Sequence, residues 1–103
     1  MMQLLDISQS LLKEDGVALS TMMKTECLRY QDEFLGMFFS KEDALIIKVS
    51  PSRVQELIKE GIVREFSFTK KVFKEWVLIS LEYRDDYQLY LKEALKYAKE
   101  LKL

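Results

Sequence analysis

The chain has no histidine, one cysteine, one proline and only three glycines in 103 residues. Each scarcity excludes something. Without histidine the usual general base near neutral pH is missing, so neither a Ser-His-Asp nor a Cys-His nucleophile system can be assembled within the chain, and the commonest zinc ligand is gone. The lone Cys27 permits no internal disulfide and no multi-cysteine metal site, and it reads as a small buried hydrophobe rather than a reactive thiol. Gly16, Gly36 and Gly61 stand apart from one another, so no phosphate-cradling glycine loop exists. So little Gly and Pro also argues against long disordered linkers. No apolar run approaches the length of a membrane span, and Met1–Asp6 lacks the basic start of a signal peptide. A cytoplasmic protein without membrane association is expected.

What is present is ordinary globular material. Hydrophobic residues make up 49% and charged residues 32%, with 16 basic against 17 acidic for a net charge of −1. That length supports one core, so residues 1–103 are expected to form a single domain. A free-standing nucleic-acid binder more often carries a basic excess, and the balance weighs against that role without removing a local patch.

The most strongly specified stretch is ALIIKVSPSRVQELIKEGI, Ala44 to Ile62. Ala44–Val49 is apolar on both alternating sets except for Lys48, as a strand inside a sheet would be. Ser50 is placed as a helix N-cap and Pro51 at the first helical position, where its missing N–H costs nothing. Val54, Leu57 and Ile58 form one stripe, and Gly61 supplies the left-handed residue that ends the helix.

Around it, periodicity predicts a first helix from about Met2 to Asp15, with Leu4, Ile7, Ser8 and Leu11 on one face and Gly16 as terminator. A strand is expected from Val17 through Tyr30, with a bulge near Glu26, then a turn at Gln31-Asp32. Glu33–Phe39 is a strand with Phe34, Gly36 and Phe38 on one face and Leu35, Met37 and Phe39 on the other. After Gly61 come strands Arg64–Phe68 and Phe73–Ser80 about a basic turn at Thr69–Lys71. A last helix opens near Arg84–Asp86, with Tyr87, Leu91, Ala94, Leu95, Ala98 and Leu101 as its core stripe and Lys96, Lys99 and Lys102 answering the dipole. The expected fold is α+β, an α-β(3)-α-β(2)-α order with helices covering one antiparallel sheet in two layers.

Helices on one face leave apolar residues on the other. Either Leu35, Met37 and Phe39 or Phe34 and Phe38, together with Trp76 or Val77, need a cover that a homodimer interface, a ligand groove or a helix crossing over would supply; the homodimer is preferred. The carboxylate pairs Glu42-Asp43 and Asp85-Asp86 sit at element ends and read as solvated turns and helix starts. No catalytic residue, metal or cofactor is expected, and the chain is read as a non-enzyme. Lys70, Lys71 and Lys74, flanked by Phe68 and Phe73 and near Arg64, make the best local charge feature, a weak salt-sensitive nucleic-acid site if they act together.

Taken whole, the chain resembles the TfoX N-terminal domain family. The resemblance rests on Leu11-Leu12…Gly16-Val17, on LIIKVSPSRVQELIKEG (Leu45 to Gly61) and on FSFTKKVFKEWVLI (Phe66 to Ile79), with Lys48, Arg53, Lys74 and Trp76 at positions where that family tends to carry those types. The family's Met-Phe-Gly-Gly signature falls on Met22-Met23-Lys24-Thr25, where only the leading Met matches, and glycines usual in the next hairpin and the basic turn are Asp32 and Lys70. The resemblance implies a secretion-chaperone-like fold, a bacterial or archaeal source and a regulatory, co-activator-like role through a protein partner. The better-known members carry a second helical domain, which a chain ending at Leu103 is expected to lack. Candidate partner-binding residues are then Lys48, Arg53, Lys70, Lys71, Lys74 and Trp76. A small-molecule sensor with a pocket lined by Met37, Phe38 and Trp76 is the remaining alternative.

Overall fold

The computed structural model describes residues 9, 11–22, 25–39, 43–68 and 71–102, a small α+β domain. Its elements are β1 (Val17–Met22), β2 (Thr25–Tyr30), β3 (Glu33–Phe39), β4 (Ala44–Lys48), α1 (Pro51–Lys59), β5 (Val63–Phe68), β6 (Lys71–Ser80), a 3-10 helix (Leu81–Asp86) and α2 (Tyr87–Leu101). The six strands form one antiparallel sheet in the order β1-β2-β3-β4-β6-β5.

Helix α1 is built as its residues dictate. The Ser50 hydroxyl accepts from the Arg53 N–H at 3.2 Å, and Pro51 opens the first turn. At the other end Gly61 takes φ +79°, the Gly61 N–H reaches the Ile58 carbonyl at 3.0 Å, and the Ile62 N–H reaches back to Leu57 at 3.2 Å. Those two bonds satisfy carbonyls that the helix end would otherwise leave open.

Four strands, not three, precede α1. The expected long strand Val17–Tyr30 is a hairpin, with Val17 opposite Tyr30 and Met22 opposite Thr25. Gln31 and Asp32 then turn the chain into β3 with φ +45° and +71°, the left-handed pair that a tight hairpin needs to match the sheet twist. Of the first helix, Gln9, Leu11 and Leu12 are helical, and the chain leaves the helix at Lys13 rather than Asp15; Leu4, Ile7 and Ser8 lie outside the described residues.

The strict alternation expected in β3 is also corrected. Leu28 pairs with Gly36 but Arg29 pairs with Phe34, so Leu35 is an extra residue, a β-bulge. The bulge shifts the phase. Leu35 joins the core on the helix side, Phe38 packs against that same core, and Phe34, Met37 and Phe39 belong to a separate cluster with Cys27, Ala44, Ile46 and Leu78.

The main core lies between the sheet and the helices. Leu45, Ile47, Val77 and Ile79 meet Val54 and Leu57 of α1 and Tyr87, Leu91, Ala94, Leu95 and Ala98 of α2. Leu101, expected in that stripe, is 47% exposed, one turn beyond the last buried residue of α2. Tyr87 is fully buried and donates its hydroxyl to the Ile79 carbonyl at 2.8 Å. Burial pushes its pKa up to about 12, above the ordinary value near 10. The folded state therefore holds this proton through a range in which the unfolded chain releases it. Stability from Tyr87 is complete below about pH 10 and falls as pH rises towards 12. An alkaline titration followed by circular dichroism and tyrosinate absorbance should show unfolding set in above pH 10, with Tyr87→Phe shifting that onset upward.

Candidate interaction surface

Among the described residues, three places gather chemistry-bearing side chains. The first is an open groove of about 300 Å³ between the start of α1 and the middle of α2, lined among others by Ser50, Ser52, Arg53, Glu93, Lys96 and Tyr97. Arg53 is at its centre. Its Nε donates to Glu93 of α2, and its Nη1 lies 3.4 Å from Glu56 and 3.8 Å from Glu60. The bond to Glu93 raises the guanidinium's pKa further. Three carboxylates around one cation leave Arg53 a clasp between α1 and α2 rather than a group presented to an outside anion. Nearby, the Tyr97 hydroxyl donates to Glu75 of β6, and burial together with that carboxylate pushes the phenol up to about 12.

The second is a cavity of about 280 Å³ beside α2, floored by Leu11 and Leu95 and edged by Glu14, Lys92, Lys96 and Lys99. Lys99 Nζ also stands 5.9 Å from the Tyr30 ring centroid, within reach of a cation–π contact. Sequence reasoning grouped Lys96, Lys99 and Lys102 by the helix dipole and missed Lys92. The signal was the spacing i, i+4, i+7, which sets Lys92, Lys96 and Lys99 in one stripe.

The third is the sheet face turned away from the helices. Phe34 and Trp76 stack there with ring centroids 4.4 Å apart and planes 21° apart. In the β4–β6 ladder Trp76 is directly opposite Lys48, whose Nζ is 3.0 Å from Glu33 Oε2. Cys27, Met37, Ala44 and Ile46 of this cluster are fully buried within the single chain, and Phe34 is 6% exposed. Burial raises the Cys27 thiol pKa and outweighs the opposite effect of Arg29, so the thiol is held in its unreactive form. Among the described residues, Phe39 and Trp76 stay half-buried at the margin of this cluster.

These positions revise the expected sites. Phe34, Leu35 and Met37 do not form an open dimer or ligand face, because all three are buried in one copy and Leu35 points to the helices. Phe38 packs on the helix side while Met37 and Trp76 lie on the other, so the three cannot line one sensor pocket. Lys48 and Arg53 are engaged in ion pairs that brace strands and helices. Lys74 and Arg64 are exposed; the Lys71 side chain and Lys70 lie outside the described residues.

Among the described residues every buried side-chain nitrogen or oxygen has a hydrogen-bond partner, and no three His, Cys, Asp or Glu converge as metal ligands. No described helix is long and apolar enough to cross a membrane. No protein-family model matches this chain, and no curated protein or solved structure is significantly similar to it.

Proposed function

We propose that this chain is a small cytoplasmic regulatory module that acts through a protein partner, as a homodimer, and performs no catalysis. The TfoX N-terminal-like pattern of the sequence, with its secretion-chaperone-like topology and co-activator role, is the family in which such a module fits. The observation that carries the reading is the Phe34–Trp76 stack, bordered by Phe39 and Lys48, on the sheet face opposite the helices. Trp76 is fixed from below by Phe34 yet keeps part of its surface in water. A rigid, half-buried tryptophan loses little side-chain entropy on binding and offers a large apolar area, the usual character of an interface anchor. Among the described residues, three ionisable side chains beside these surfaces are spent on structure: Arg53 on Glu93, Tyr97 on Glu75 and Lys48 on Glu33.

The test is affinity capture from the native cell with the wild type and with Trp76→Ala and Lys96→Glu variants. One protein species should be retained by the wild type and Lys96→Glu and reduced at least about tenfold by Trp76→Ala, a loss of anchor size. Retention equal across all three would refute the anchor. The nucleic-acid alternative draws on the exposure of Lys74 and Arg64. It takes over if the retained species is nucleic acid that is released by salt.

A further inference from the structure

The two edges of the sheet are built differently. β5 carries Arg64 and Glu65 and is broken by a register shift between Glu65 and Phe66. Charges and bulges are the devices by which an edge strand refuses a further strand. β1 has neither. Val17-Ala18-Leu19-Ser20-Thr21-Met22 holds no charge, no proline and no glycine, and it pairs with β2 from end to end without a shift. Among the described residues no strand flanks its outer side. The Val17 N–H turns back to the Glu14 carbonyl at 3.3 Å, and a regular, uncharged strand with no described strand on its outer side is a template for another strand.

We propose that β1 is the seam of the homodimer, with β1 of a second copy pairing antiparallel to it about a twofold axis so that two six-stranded sheets become one. This rests on the dimeric reading above and gives it a surface other than the buried face of β3. The strand's chemistry selects its own copy as occupant. Having no charge, it meets itself without like-charge repulsion, and it offers a charged segment nothing to pair with. Its pattern is also self-consistent: Val17 and Leu19 belong to the helix-side core, while Ala18 is exposed on the alternate set. An antiparallel register centred on Leu19 or on Ser20 sets like face against like face, so both helix layers lie on one side of the joined sheet. In the register centred on Leu19, that half-buried residue gains apolar cover from its counterpart.

Light scattering on size-exclusion fractions over a micromolar concentration series tests the seam. Wild type should have about twice the 12.2 kDa chain mass. Ala18→Lys/Ser20→Lys sets like charges across the junction and should raise the dissociation constant about tenfold or more. Thermal melting by circular dichroism establishes that the variant is folded. If it is not, amide hydrogen exchange on the wild type decides, since β1 amides should gain protection with concentration while β5 amides do not. A wild type that stays monomeric throughout removes the dimer altogether. A wild-type dimer whose β1 amides ignore concentration, or which the folded lysine variant leaves intact, overturns the seam alone and leaves a dimer joined elsewhere.

Discussion

Gly36→Ala should lower the unfolding free energy by about 2–3 kcal/mol, a large effect for the addition of one methyl group. Gly36 lies where the bulged strand meets Leu91 of α2. A Cβ built there would come within 2.7 Å of the Ile46 carbonyl oxygen and 2.9 Å of Leu91 Cδ2. The first neighbour is backbone of the adjacent strand and can move only with the sheet. The second is the end of a flexible side chain and can turn aside. Gly36→Ala in a Leu91→Ala background should therefore cost less than in the wild type, with a coupling of about 1 kcal/mol, while the residual loss reports the Ile46 contact. Leu91→Ala alone, at a fully buried site, should cost about 2–5 kcal/mol. Urea unfolding of the four proteins completes the cycle, and strict additivity would show that the helix does not rest on Gly36.

Met37→Asp should be the more damaging change, by at least about 3 kcal/mol at neutral pH, because it places an unpaired carboxylate where no solvent reaches. Met37 is fully buried with Cys27 and Ile46 on the sheet face away from the helices. The buried aspartate prefers its neutral form, so its folded pKa lies above the unfolded value near 4. The loss then grows as pH rises above about 4 and is smallest in acid. Met37→Leu, which conserves volume and apolarity, should cost less than about 1.5 kcal/mol. An open interface at this position would tolerate aspartate in the isolated chain. Denaturation of the two variants at pH 4 and pH 7 separates these cases.

How much of this was legible in the sequence depended on whether the signal was local. The strand β4, the capped helix α1 and the Gly61 terminator are written in adjacent residues, and the structure realises them bond for bond. The turn at Gln31-Asp32 was readable because Asp tolerates the left-handed region even without glycine. The reversal between Met22 and Thr25 was hidden, since Met23-Lys24 carries none of the residues that announce a turn and the flanking strands alternate through it unbroken. The bulge at Leu35 was equally silent: Phe-Leu-Gly-Met-Phe-Phe is apolar in either phase, so hydrophobicity alone could not tell which residues share a face. That one extra residue decided the candidate site. It moved Leu35 and Phe38 to the helices and left Phe34 beneath Trp76. Two cations that looked like partner contacts also answered to tertiary neighbours far away in sequence, as Lys48 does to Glu33 and Arg53 to Glu93.

Trp76 is the chain's single tryptophan, so its fluorescence reports the proposed anchor without labelling. Acrylamide quenching of its emission, measured on the free chain and on the complex isolated by capture, tests the interaction reading most directly. Burial under a partner should lower the quenching constant several-fold and shift the emission to the blue. A quenching constant and emission maximum unchanged between the free and bound chain would contradict an interface built on Trp76.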